Sequence, residues 1–219
     1  MRIPPFKMKR ESVMERYRYN TWLDKEAETI TWLSSFDPHD VFFDVGSNIG
    51  IYTLYRASIH PEGVIYAFEP SMVNYHALLE NIEMNKFHYI SAFPVCIGGY
   101  EGEVAFDDPG EVGASGGQMH AGINFRPLRT VDSFSVCPDH VKIDIDGQEL
   151  EVVKGMRQTI PHIKSILIEV SSKTKQAALD LILPHGFTTD NRFNRHVPHS
   201  RTRRKEEGID AENIIFTRP

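Results

Sequence analysis

The stretch Val41-Phe42-Phe43-Asp44-Val45-Gly46-Ser47-Asn48-Ile49-Gly50 decides how this chain folds. An apolar run ends in an acid, and a tight Gly-x-Asn-x-Gly turn and a helical pattern follow. A buried parallel strand delivers its chain to a nucleotide-like ligand in this way, at its carboxyl end. Gly46 and Gly50 allow backbone to approach a ligand where a Cβ would collide. A second apolar run, Val64-Ile65-Tyr66-Ala67-Phe68-Glu69-Pro70, also ends in an acid. Glu69 follows the glycine turn by about 20 residues, the place from which an acid accepts hydrogen bonds from ribose hydroxyls.

The pattern continues on both sides of this pair. Upstream, Leu23, Ala27, Ile30 and Leu33 share one helical face from Asn20 onward, and Pro38 stops that helix. Residues 1–19 read as a loosely docked arm. Downstream, Ile51, Leu54, Tyr55 and Ser58 mark a helix after the glycines. Pro70 opens another, with Tyr75, Leu78, Leu79 and Ile82 at helical spacing. Strands are expected near 89–95, at 141–145 and at 165–170, with helices at 148–158 and 174–183. Two last strands, near 186–190 and 213–217, flank a basic segment. Residues 107–122 hold five glycines and one proline, which predicts a mobile loop. The βαβα alternation predicts a doubly wound α/β sheet.

A chain of 219 residues with 41% hydrophobic content suits one α/β domain with a small appendage. The division expected is an N-terminal arm and helix over 1–35 and a catalytic domain over 36–219. A net charge of −6 does not suit sequence-independent nucleic-acid binding. Cys96 and Cys137 stand far apart, without metal-ligand spacing, so a reducing compartment is expected. The charged N-terminus lacks the apolar core of a signal peptide, and no apolar run is long enough to span a membrane. A cytoplasmic location follows as an expectation.

The ligand class follows from the turn. Hydride-transferring enzymes use Gly-x-Gly-x-x-Gly, whereas this turn is Gly46-x-Asn48-x-Gly50. It is too short for the three-glycine pyrophosphate grip, and no Gly-Lys-Ser/Thr phosphate loop exists. S-adenosylmethionine, which has no phosphates, suits an acid-Gly-x-x-x-Gly turn followed by a second-strand acid. In this reading Gly46, Ser47, Asn48 and Gly50 form the donor turn, Asp44 sits near the donor's ammonium, and Glu69 with Pro70 takes the ribose. An NAD-type Rossmann oxidoreductase is the alternative enzyme. A catalytically silent nucleotide-binding module is the alternative outside enzymes.

Four pieces carry a family resemblance. They are Phe43-Asp44-Val45-Gly46-Ser47-Asn48-Ile49-Gly50, Ala67-Phe68-Glu69-Pro70, Val141-Lys142-Ile143-Asp144-Ile145-Asp146-Gly147-Gln148-Glu149 and Ile166-Leu167-Ile168-Glu169-Val170. In this combination and order the chain resembles the FkbM-type methyltransferases, a branch of the class I S-adenosylmethionine-dependent fold. The resemblance implies a Rossmann-like, seven-stranded, mostly parallel sheet with helices on both faces. It also implies methyl transfer to a hydroxyl oxygen, often of a sugar, glycan or polyketide. Many members carry Glu at the position of Asp146 and His at that of Gln148.

The fourth-strand acids are the candidate catalytic groups. Asp144 stands at the strand tip, and Asp146 and Glu149 follow. Asp144 or Asp146 would remove the acceptor proton, or the acids would hold a divalent cation such as magnesium. A capping box formed by Asp146 and Glu149 competes with that reading. Glu169 could face the same cleft. Lys142 reads as a strand-flank residue, His120 as a solvated loop histidine, and His140 as a residue of the loop before the strand. Arg192, Arg195, Arg201, Arg203, Arg204 and Lys205 crowd one connection. A solvated loop is the plain reading, and contact with an acidic acceptor is the sharper one.

Overall fold

The computed structural model describes residues 3–115, 117–120, 122–194 and 210–219. Two N-terminal helices, α1 (Val13–Thr21) and α2 (Ala27–Leu33), precede the first strand, β1 (Phe42–Val45). Then follow α3 (Ile51–Ile59), β2 (Ile65–Phe68), α4 (Met72–Asn85) and β3 (Ile90–Phe93). Four short strands come next: β4 (Cys96–Ile97), β5 (Gly102–Asp107), β6 (Gln118–Met119) and β7 (Asn124–Arg129). The alternation resumes with β8 (His140–Ile143), α5 (Glu149–Lys154), β9 (Ser165–Val170) and α6 (Lys175–Ile182). It ends with β10 (Thr188–Thr189), α7 (Asn191–Asn194) and β11 (Glu212–Thr217).

The main sheet has seven strands in the order β10-β11-β9-β8-β1-β2-β3. The five strands from β9 to β3 are parallel; β11 runs antiparallel to β9, and β10, antiparallel to β11, resumes their direction at the edge. β1 and β8 are buried along their whole length, as strands covered by helices on both faces must be. From β1 the chain winds outward through β2 and β3, then returns to place β8 on the other side of β1. That reversal opens a crevice at the carboxyl ends of β1 and β8, where open α/β sheets bind ligands.

Strands that the sequence did not announce flank the glycine-rich segment 107–122, most of which stays without regular structure among the described residues. β5 and β7 pair antiparallel, with β6 and β4 at their edges, in a second sheet of order β4-β7-β5-β6. Its one apolar face gathers Cys96, Val104, Phe106 and Leu128, with Met119 packed against them.

The N-terminal arm is docked rather than loose. Phe6, Met8 and Trp22 are buried in one cluster with Ile49, Ile51, Leu54 and Ala77. The Lys7 amide donates to Asn85 Oδ1 at 2.7 Å, and the Lys9 amide to Asn81 Oδ1 at 2.8 Å. α1 starts in a capping box. The Glu15 amide donates to Ser12 Oγ at 2.9 Å, and the Ser12 amide to Glu15 Oε2 at 2.6 Å. The single helix expected from Asn20 is therefore two helices joined by a turn.

Candidate functional site

The turn after β1 is held against both neighbouring strands. The Gly46 and Ser47 amides each donate to Phe68 O at 3.0 Å. Gly46 has φ +83°, and a Cβ there would run into the carbonyl oxygen of Asp144, just beyond β8. Glycine is required because two strand tips touch through its backbone. Gly50 (φ +94°) begins α3 beside Leu78 and stands behind the cavity wall. Asn48 is left-handed (φ 51°), and its own Oδ1 accepts from the Ile49 amide at 2.9 Å.

Glu69 closes the turn from β2. Its Oε2 accepts from the Asn48 amide and its Oε1 from the Ser71 amide, both at 2.8 Å. Burial raises its pKa to about 7, against the pull of the Ser71 and Asn48 amides and of the Arg18 guanidinium. Each carboxylate oxygen keeps a lone pair for a ligand. Ser47 Oγ, on the same wall, is buried without a hydrogen-bond partner.

Asp44 lies behind this wall. It is fully buried, its Oδ2 accepts from Thr53 Oγ1 at 2.5 Å, and its Oδ1 lacks a hydrogen bond. Burial raises its pKa, opposed by the Lys142 ammonium and the Thr53 hydroxyl. Its strand partner in register is Lys142 of β8. Lys142, read from sequence as a strand-flank residue reaching water or a neighbouring acid, is buried. Its Nζ is 2.9 Å from Asp144 Oδ2, 3.8 Å from Asp44 Oδ1 and 5.2 Å from the centre of the Tyr52 ring. Burial pushes this ammonium's pKa down, but Asp144, Asp44 and Glu26 outweigh it, so the group stays charged. Tyr52 adjoins the cluster. Burial, with the charge of Glu26 and a hydrogen bond to it, raises its pKa well above the ordinary phenol value.

Asp144 presents a carboxylate 24% exposed to the cavity, the only acid of its segment paired to Lys142 among the described residues. Asp146 stands at the rim, exposed and left-handed (φ 57°). The capping box weighed for Asp146 and Glu149 does not form. Gln148 is the N-cap of α5, and Glu149 Oε1 instead accepts from the Gly147 amide at 2.8 Å, bracing the turn that carries Asp146. Glu169, near the end of β9, lines the same cavity. Among the described residues no group of three or more His, Cys, Asp and Glu is arranged to hold a metal ion.

A cavity of about 300 Å³ unites these groups, at the lower end of ligand-site sizes. Its floor is Val45 to Asn48, Phe68 to Ser71, and the Lys142–Asp146 tip. Its roof is the glycine-rich segment, which hydrogen bonds pin. Ala114 O accepts from Asn48 Nδ2 at 2.8 Å and Asn74 Nδ2 at 3.1 Å, and the Gly113 amide donates to Asn74 Oδ1 at 2.7 Å. Arg18 and Lys25, from α1 and the turn after it, complete the wall. Neither cation was legible as a site residue, because only the docking of the arm brings them there.

Three sequence candidates lie elsewhere. His120 is exposed and left-handed (φ 66°), outside the cavity wall. His140 is the buried first residue of β8 rather than a loop residue. It stacks on Phe36 at 3.5 Å, with Nδ1 2.6 Å from Ser165 Oγ and Nε2 2.9 Å from Asp40 Oδ2. Burial lowers its pKa to about 4. Of the basic connection, Arg192 pairs with Asp190 at 2.6 Å. Arg195, Arg201, Arg203, Arg204 and Lys205 lie outside the described residues. No helix among the described residues is long and apolar enough to cross a membrane.

Comparison with known proteins gives a family-level match. A model described as the methyltransferase FkbM domain matches residues 44–189. The hexuronic acid methyltransferase AglP of Haloferax volcanii is 25% identical over 169 residues, covering 73% of this chain and 68% of the relative. The 31-O-demethyl-FK506 methyltransferase FkbM of Streptomyces tacrolimicus is 48% identical over 44 residues, 20% of this chain and 17% of the relative. Among solved structures, the precorrin-6y C5,15-methyltransferase of Geobacter metallireducens GS-15 superposes with a TM-score of 0.54 at 14% identity, over 97% of this chain and 93% of the other. That last likeness concerns the fold.

Proposed function

Since the chain belongs to the FkbM methyltransferase family and is an S-adenosylmethionine-dependent methyltransferase, we propose that it methylates a hydroxyl oxygen of a sugar, a glycan or another small natural product. When bound, S-adenosylmethionine supplies a methyl group on a sulfonium, which a nucleophilic oxygen displaces in line. The residues of the turn suit that donor. Ser47 offers a buried hydroxyl that lacks a partner, and Glu69 offers free lone pairs to ribose hydroxyls. Pro70 and Asn74 extend the same wall. Asp44 acts from behind, through Thr53 and Lys142, rather than by touching the donor.

On the acceptor side, Asp144 takes the hydroxyl proton. Its carboxylate faces the cavity and is held by the Lys142 ammonium. Asp146 sits at the rim, exposed, where it helps the proton leave toward water. The chemistry asks little else of the protein, because the donor brings its own leaving group. Alignment of two reactants and removal of one proton are what remain.

The observation that carries this reading is the meeting, in one cavity at the β1/β8 switch point, of the Glu69-gripped turn and the Asp144 carboxylate. A sugar acceptor draws support from the hexuronic acid methyltransferase relative. The test is calorimetry with S-adenosylmethionine and with NAD, followed by a labelled-methyl screen over hydroxylated acceptors. Binding of S-adenosylmethionine and label on oxygen are expected. Binding of NAD alone, or label on nitrogen or carbon alone, would overturn the proposal.

A further inference from the structure

Of the residues on the cavity wall, Arg18, Lys25 and Ala211 come from outside the matched family region, 44–189. The donor turn, Glu69 and Asp144 all fall within that region. The N-terminal segment thus adds two cations to a wall whose remaining chemistry belongs to the shared domain.

Neither cation complements the net charge of the donor, although Arg18 also acts on the donor-side Glu69, whose pKa it pulls down. S-adenosylmethionine carries a sulfonium, an ammonium and one carboxylate, a net single positive charge. Glu69, Asp144, Asp146 and Glu169 give the cavity an acidic character that favours such a cation. Arg18 and Lys25 oppose it. An anionic group brought in by the other reactant would complement both.

Arg18 stands on α1, and Lys25 in the turn that follows it. α1 is fixed by its capping box and by the burial of Phe6, Met8 and Trp22. Arg18 Nε donates to Gly113 O at 2.6 Å, which aims the guanidinium. Its two Nη atoms make no hydrogen bond among the described residues, leaving a fork suited to a carboxylate or phosphate. Lys25 Nζ is 3.3 Å from Glu26 Oε1, and its side chain is 36% exposed. Glu26 is hydrogen-bonded to Tyr52 and acts on Lys142, which sets Lys25 on the Asp144 side of the cavity.

We propose that Arg18 and Lys25 form an anion-recognising wall, so that the enzyme selects hydroxyl acceptors that also carry a carboxylate or a phosphate. This inference rests on the O-methyl transfer reading above. The wall raises the local concentration of such acceptors against the repulsion of a protein with net charge −6.

The experiment compares the parent chain with Arg18→Gln, Lys25→Gln and the double variant. Donor affinity is measured by calorimetry, and kcat/KM is measured on matched acceptors: a neutral hexoside, the corresponding hexuronide and the corresponding hexose phosphate. The parent should prefer one of the two charged acceptors, which identifies the anion as carboxylate or phosphate. The double variant should lose about 10- to 100-fold in kcat/KM on that acceptor, the range for hydrogen bonds to charged groups. Because Arg18 acts on Glu69, donor affinity is compared at about pH 9, where Glu69 is ionised with or without it; there donor affinity and the neutral acceptor should change by less than about 2-fold, the scale of a weak surface charge effect. Equal use of neutral and charged acceptors by the parent would overturn the wall while leaving O-methylation standing. So would a loss of donor affinity matching the loss on the charged acceptor. Failure of the parent to label any hydroxyl, with the donor bound, would overturn both.

Discussion

Lys142 holds Asp144 by an ion pair of 2.9 Å, and the same ammonium stands 3.8 Å from the fully buried Asp44. One cation therefore ties the tip of β8 to the interior of β1. Lys142→Met would leave Asp44 charged, buried and unpaired. Breaking a buried pair in this way costs about 3–5 kcal/mol. Urea unfolding should reveal that loss, and Lys142→Met combined with Asp44→Asn should recover much of it, because the orphaned charge is gone. A single variant as stable as the parent would refute the tie.

Gly46 is a structural hinge between strands as much as a ligand contact. Gly46→Ala puts a Cβ into the Asp144 carbonyl and forces φ +83° on a residue that avoids it. The backbone conformation alone costs about 1–3 kcal/mol. The variant should melt at lower temperature and also turn over slowly, because Asp144 is displaced with its carbonyl. A variant with parental melting temperature and rate would mean that the two tips do not meet.

Two buried groups set opposing pH dependences. Glu69 has a folded pKa of about 7 against an ordinary 4.5. Its contribution to stability is complete below pH 4.5 and is lost as pH rises through about 7. His140 has a folded pKa of about 4 against an ordinary 6.5. Its contribution is complete above pH 6.5 and is lost as pH falls through about 4. Between pH 4.5 and 6.5 the two offset each other. Relative to the parent, Glu69→Gln should gain stability with rising pH over that window, and His140→Gln should lose it. Unfolding midpoints of the three proteins across that window decide the matter; parallel curves would contradict both assignments. Donor affinity should in turn rise with pH through about 7, as Glu69 ionises.

The central strands were legible because strands buried on both faces appear as unbroken apolar runs. β1, β2, β8 and β9 fall within one or two residues of their expected places. The glycine turn, Glu69 and Asp144 were legible for a related reason, since each sits at the end of such a run. Lys142 does reach a neighbouring acid, Asp144, but its burial was missed, because a lysine inside an apolar strand shows nothing of its cross-strand partners. The in-register Asp44 is supplied by a different strand. The second sheet was missed because its apolar face is only a few side chains deep, including Val104, Phe106 and Leu128, and glycines dominate the segment between. The docked arm left one readable sign, the Ser12-x-x-Glu15 capping box. Phe6 and Met8 are isolated apolar residues without periodicity, so their burial, and with it the arrival of Arg18 and Lys25, is purely tertiary.

The central claim is that Asp144 removes the acceptor proton in a cavity whose other half holds the donor. Single-turnover transfer of labelled methyl from S-adenosylmethionine to a hydroxyl acceptor by Asp144→Asn, with donor affinity measured on the same preparation, tests it most directly. The account predicts a rate lower by about 100- to 10,000-fold, the range of general-base catalysis, with donor affinity unchanged. Parental transfer by Asp144→Asn, or a loss of donor affinity large enough to explain the slower rate, would contradict it.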